Sequence, residues 1–172
     1  MVRKKFLQRA IVSAGTILTV PSILLAEPQY KFKHPSTDQL PPDKVKDFVI
    51  AGHGDLAKVK SMLQELPTLL YATWDWGGGD FETALEGAGH VGNKEIATYL
   101  IAAGARTNLF VLTMLGKTEI VTSYINAFPQ YINARGPHGF TFLHHAQKGG
   151  DDSKVLLDYF QNKGLKGTKS PL

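Results

Sequence analysis

Six histidines and no cysteine set the limits on the chemistry open to this 172-residue chain. A metal centre built on one element shows itself by spacing: histidines at i and i+4 on a helix, the His-Glu-x-x-His pattern, or a local carboxylate cluster. None of these occurs. His144 and His145 are adjacent, so on a helix their side chains diverge by about 100° and cannot readily chelate one ion. His53 and His90 fall just before the glycines Gly54 and Gly92, at positions that read as turns. No metal ligand is therefore expected, and a zinc site would have to be assembled from separate repeats. The missing cysteine removes thiolate sites, disulfides and a lipid-anchored cysteine. A Gly-x-Ser-x-Gly elbow is also absent, and Gly77-Gly78-Gly79 lacks the Gly-Lys-Ser/Thr that completes a phosphate loop. The sequence predicts no catalysis and no cofactor.

The residues that remain for recognition lie in two loops. The first holds Trp74, Asp75, Trp76, Asp80 and Phe81, and the second holds Arg135, His138 and Phe140. Tryptophan offers large contact area at low entropic cost and arginine a planar fork, and both are enriched at binding hot spots. One tryptophan is expected to pack and the other to bind. Asp75 and Asp80 are expected to cap turns or the helix that starts after Glu82-Thr83. His138, between Pro137 and Gly139, reads as an exposed loop-tip residue. These eight residues are the predicted partner-binding set. The alternative is a small-ligand or metal-binding protein that uses the cleft between the loops, with His138, Asp75 and Asp80 as its polar groups.

Positioning falls to a frame that recurs four times between about Phe48 and Gly164. Gly54, Gly92, Gly116 and Gly150 each precede an apolar pattern of helical spacing, such as Leu56, Val59, Met62 and Leu63, or Ile96, Tyr99, Leu100 and Ile101. The glycines lie 38, 24 and 34 residues apart. The 24-residue step has no room for a projecting loop. Pro67 and Pro129 end the second helices of the first and third copies, and Gly104 sits where a left-handed C′ residue belongs. One helix pair buries too little alone, so the pairs must cover one another.

In the second copy Thr83, Ala84, Leu85, Ala88, Gly92, Glu95, Ile96, Leu100, Ile101, Gly104, Ala105 and Asn108 share one register. In the fourth, Thr141-Phe142-Leu143-His144 is followed by Ala146 and Gly150. In these residues the chain resembles the ankyrin-repeat family over about 42–164. The run from Trp74 to Leu85 with Gly136-Pro137-His138-Gly139 further resembles a group of small exported bacterial ankyrin-repeat proteins. Ala84 and Phe142 replace the family's proline, Glu86 its histidine and Arg106 its aspartate. The resemblance implies an all-α solenoid of about four helix pairs with two longer β-turn fingers. It also implies a concave face that binds a protein, and a His144 that bonds within its own turn and to neighbouring loops. The function expected is a non-catalytic protein–protein interaction module whose partner is unidentified, an exported enzyme among the candidates. The chain is expected to be a monomer.

The first 26 residues differ in kind. Arg3, Lys4, Lys5 and Arg9 precede an uncharged run from Ala10 to Leu25 that ends at Ala26, the layout of a signal peptide rather than a membrane span. Arg3-Lys4-Lys5-Phe6-Leu7 is similar to the twin-arginine motif, which leaves that route and the general one open. Export to the periplasm is expected, with membrane attachment only through an uncleaved leader. Four of the 19 basic residues lie in this leader, and the remaining 15 balance 15 acidic ones. No concentrated basic face remains for phosphates, so no nucleic-acid partner is expected. Residues 27–41, with Pro28, Pro35 and Pro41, read as an extended linker, and 165–172 as a flexible tail.

Overall fold

The computed structural model describes residues 38–171, so the expected leader and most of the expected linker lie outside the described residues. Four helix pairs follow one another. The first is α1 (Pro42–Gly52) with α2 (Leu56–Glu65), and the second α3 (Ala84–Val91) with α4 (Lys94–Ala102). The third is α5 (Leu109–Met114) with α6 (Thr118–Ala127), and the fourth α7 (Phe142–Gly149) with α8 (Lys154–Asn162). The chain is mostly helical, as an all-α class requires. No helix among the described residues is long and apolar enough to cross a membrane.

Local chemistry places the boundaries. Asp55, Asn93 and Asn108 accept the first free backbone N–H groups of α2, α4 and α5 through their side chains. Thr83 and Glu86 form a reciprocal capping box at the start of α3. Pro67 and Pro129 follow α2 and α6 and open short 3-10 turns at Pro67–Tyr71 and Pro129–Asn133. The apolar stripes fill two clusters. Phe48, Leu63, Leu85, Ile96 and Leu100 belong to the first, under α1 to α4. The second is aromatic: Phe110 stacks on Phe142 at 4.3 Å and Phe142 on Phe160 at 5.1 Å. Each such side chain contributes about 1.5–3 kcal/mol by leaving water.

The pairs do not simply line up. The first helix α3 packs on α1 and α5, its neighbours, and also on α7, two pairs along. The sequence predicted pairs that touch in a row. The third pair has the shortest first helix, six residues, and no projecting loop before it, so the second and fourth pairs meet across it. His144 Nε2 donates to His90 O and Lys94 Nζ donates to Gly149 O at this contact.

The first predicted finger is a hairpin. β1 (Thr73–Asp75) and β2 (Phe81–Thr83) pair antiparallel, with Trp74 opposite Glu82 and Asp75 opposite Phe81. Side chains alternate across a strand, so Phe81 faces water while Glu82 points inward and is fully buried. The second predicted finger, Asn133–Phe140, has no strand of its own. It is a tight turn closed by Gly136 N–H to Phe140 O, and Phe140 bridges Lys169. The tail expected to be flexible is tied to it. Ser170 N–H donates to Gly139 O, Thr141 N–H donates to Thr168 O, and Thr141 Oγ1 donates to Gly167 O. Gly139 has φ +75°, and a Cβ there would meet the Ser170 carbonyl, so only glycine permits this docking.

Candidate metal centre

Three of the histidines converge on Glu82. Its carboxylate lies beneath the hairpin, 3.5 Å from His53 Nε2 and 3.0 Å from His90 Nδ1 through Oε1, and 3.5 Å from His138 Nε2 through Oε2. One ligand atom from each of the four residues lies within 4.8 Å of every other. His53 caps the end of α1, His90 sits in the last turn of α3, and His138 occupies the second loop. The helix pairs thus bring together residues from three segments. The rings pack edge to face, His53 on His90 at 4.8 Å and His90 on His138 at 5.2 Å.

Each group is oriented by a partner behind it. His53 Nδ1 lies 3.0 Å from Val49 O, and a carbonyl only accepts, so the neutral ring carries its proton there and its lone pair on Nε2. His138 Nδ1 lies 2.7 Å from Asp80 Oδ2, which fixes the same tautomer. Asp80 Oδ1 also accepts the His138 backbone N–H at 2.7 Å. That bidentate grip holds His138 at φ 59°, the one non-glycine residue with positive φ among the described residues. Histidine is among the side chains that tolerate this region, and such strain gathers at functional sites. Trp76 Nε1 donates to Glu82 Oε2 at 2.8 Å, because Trp74, Trp76 and Glu82 share the inner face of the hairpin. Gly87 makes room for the His53 ring, since a Cβ there would lie 2.8 Å from its Cε1.

Two atoms at the centre are left over. Glu82 Oε1 and His90 Nδ1 are buried without a hydrogen-bond partner, although 3.0 Å separates them. Their distance suits a bond, yet no hydrogen bond forms between them. Burial pushes the Glu82 carboxyl up, yet the close approach and charge of the His53 and His90 rings outweigh it and bring it down to about 2. Chiefly through Glu82, His53 is raised above 6.5 despite its own burial. The carboxylate is ionised at neutral pH and attracts a cation, either a proton on His53 or a metal ion in its place.

The predicted site residues divide accordingly. Asp80, Trp76 and His138 meet around Glu82. Asp80, expected to cap the hairpin turn or the following helix, bonds to His138 instead, and Thr83 caps the helix. Asp75 faces outward and caps Gly77 N–H, as a turn-capping residue should, so it does not join His138 and Asp80 in a cleft. Trp74 is half-buried against the first cluster under the Lys46 ammonium, while Trp76 is more open at 37 % exposure. Phe81 and Arg135 are exposed, and Phe140 stacks on His144 at 3.9 Å. A 550 Å³ depression is lined by Asp80 of the hairpin loop, His138 of the second loop, and Lys169, Ser170 and Pro171 of the tail.

Sequence reasoning did not bring His53, Glu82 and His90 together as one cluster. A signal was present: His53 and His90 precede successive frame glycines, and equivalent positions in stacked repeats are neighbours in space. No family model, characterised protein or solved structure matches the chain.

Proposed function

We propose that this chain is a metal-binding protein that holds one divalent first-row ion through His53 Nε2, His90 Nδ1, His138 Nε2 and Glu82. The observation that carries the reading is the buried pair of Glu82 Oε1 and His90 Nδ1, which have no partner in the protein. A cation satisfies both at once, whereas leaving them bare costs about 1–3 kcal/mol per group. Bonds of about 2.0–2.1 Å in a tetrahedron put ligand atoms about 3.3 Å apart. The two distances from Glu82 Oε1, 3.5 Å to His53 Nε2 and 3.0 Å to His90 Nδ1, bracket that edge. Imidazole with one carboxylate and no thiolate suits zinc, iron, nickel or copper better than calcium or magnesium. Asp80 and the Val49 carbonyl supply the outer contacts that orient metal-bound histidines.

The scaffold in this proposal is an ankyrin-repeat solenoid in which the second and fourth pairs also touch, working outside the cytoplasm. The repeated register and the signal-like residues 1–26 support it. The test is metal analysis of the full chain purified without chelators, followed by titration of the stripped protein with Zn²⁺ and Co²⁺. One ion per chain and a raised Tm are expected. No ion and no thermal response would show that the knot is an internal ion-pair network.

A second reading, the protein–protein interaction module, keeps support from exposed apolar side chains. Phe81 on the hairpin is 57 % exposed, and Phe128 after α6 is 58 %. If Phe81→Ala with Arg135→Ala leaves capture of an envelope protein intact, the fingers do not bind it.

A further inference from the structure

We infer, resting on the metal-binding reading above, that the bound ion accepts a fifth ligand, beyond its four protein ligands, from the groove between Ile50 and Trp76, and that this position takes a small aliphatic carboxylate. The ligand set is covered on one side only. Glu82 and His90 have side-chain exposures of 0 % and 9 %, while His53 and His138 retain 29 % and 27 %. Above the more exposed pair lies a groove of 320 Å³ lined by Ile50, His53, Trp76 and His138. Structural ions are sealed by their protein ligands, whereas an ion with an open face exchanges water or a substrate there. Any exchangeable position on this ion therefore faces the groove.

The chemistry of the groove selects the occupant. Three neutral imidazoles and one carboxylate leave a divalent ion with a single net positive charge, which favours a monoanion. No lysine or arginine lines the groove, so the further charges of a phosphate or sulfate would have no partner. Its rim is apolar: Ile50 is 46 % exposed, and the Trp76 ring is held in place by its bond to Glu82. A carboxylate head on the ion with a short hydrocarbon tail between Ile50 and Trp76 satisfies both halves. At 320 Å³ the space lies at the low end of small-molecule pockets, about 300–1,000 Å³, so the acid has only a few carbons.

The test uses the full chain loaded with Co²⁺, whose visible absorption reports its coordination, titrated with acetate, propionate and butyrate. Each acid should change the spectrum, and affinity should rise about fourfold per added methylene. Butyramide, the uncharged analogue, should have no effect. Ile50→Ser removes no metal-ligating atom and keeps the backbone bond from His53 N–H to Ile50 O, so Co²⁺ affinity should stay unchanged while butyrate binding falls about tenfold. A Co²⁺ spectrum indifferent to all three acids would overturn the inference and leave the metal site standing. Acid binding with no dependence on chain length or on Ile50 would overturn the groove as the recognition element. Failure to bind Co²⁺ at all would instead overturn the metal-binding reading beneath it.

Discussion

His145 and His90 are both buried on the first helices of their pairs, with exposures of 1 % and 7 %, yet their ring nitrogens meet different surroundings. His145 Nδ1 donates to Thr141 O one turn back, and the ring lies against Phe110 at 5.2 Å. That is a histidine used as a core side chain: burial first of all drives its pKa down to about 3, and His144 and His90 add to the shift. His90 Nδ1 faces a carboxylate with which it makes no bond. The same residue type, equally buried, is finished in one place and open in the other. A buried histidine is thus a candidate ligand only when its lone pair is left over and other lone pairs converge on the same space.

The largest effect that would break this comparison comes from Glu82→Ala. It removes the anionic centre and leaves Trp76 Nε1 without its acceptor. Ion affinity should fall by more than the about 100-fold that an outer partner is worth, as read by chelator competition. His145→Leu should leave ion affinity unchanged. Equal losses in the two variants would mean that the two histidines do the same work.

Acid separates them next. His145 is neutral when folded, and its folded pKa of about 3 lies below the ordinary 6.5. Between those values the unfolded chain binds the extra proton, so stability is full above about pH 6.5 and is lost as pH falls toward 3. The loss attributable to His145 is on the order of a few kcal/mol. The facing groups are His144, itself lowered chiefly by burial, and His90. Denaturant unfolding of the stripped protein at stepped pH should show this slope, and His145→Leu should flatten it. An unchanged slope would move its origin to another group.

Smaller changes sharpen the comparison. Asp80→Asn keeps an oxygen for the His138 backbone but removes the charge behind Nδ1, and should weaken ion binding about 10–100-fold. Gly87→Ala improves helix propensity by about 1 kcal/mol while pushing on the His53 ring. It should weaken ion binding less than Asp80→Asn does, and a crystal structure would show the His53 ring displaced.

How much of this was legible depends on distance along the chain. The helix pairs were, because glycine, proline and the Asp, Asn and Thr caps act within a few residues. The hairpin loop was too, from Trp74 to Phe81. The knot was not, because it joins residues 53, 82, 90 and 138, and no local spacing rule links them. Glu82 reads as a solvent-facing residue before a helix until the pairing of Trp74 with Glu82 turns it inward. The tail failed for the same reason: Lys166, Gly167, Thr168 and Lys169 look like a solvated end, and only Gly139 reveals the seat for Ser170. The contact of α3 with α7 depends on the short third repeat, whose 24-residue spacing was visible though its consequence was not.

That contact leads to the smallest predicted effect. Three features join the second and fourth pairs: the Glu82 knot with His138, the bond from His144 Nε2 to His90 O, and the Lys94 ammonium, which reaches Gly149 O and Asp152 Oδ2 at 2.7 Å each. Gly149 ends α7, where helix carbonyls lack partners and a cation is favoured. Asp152 lies in full solvent and is lowered by the Lys94 hydrogen bond, so salt screens its attraction. Exposed pairs of this kind contribute little. Lys94→Met should therefore shift Tm by no more than about two degrees, with the difference shrinking in high salt. It should leave ion affinity untouched, since Lys94 meets none of the four ligands. A large loss of ion affinity in Lys94→Met would mean that the surface pair sets the approach of α7 to α3, and that the knot follows that closure rather than holding it.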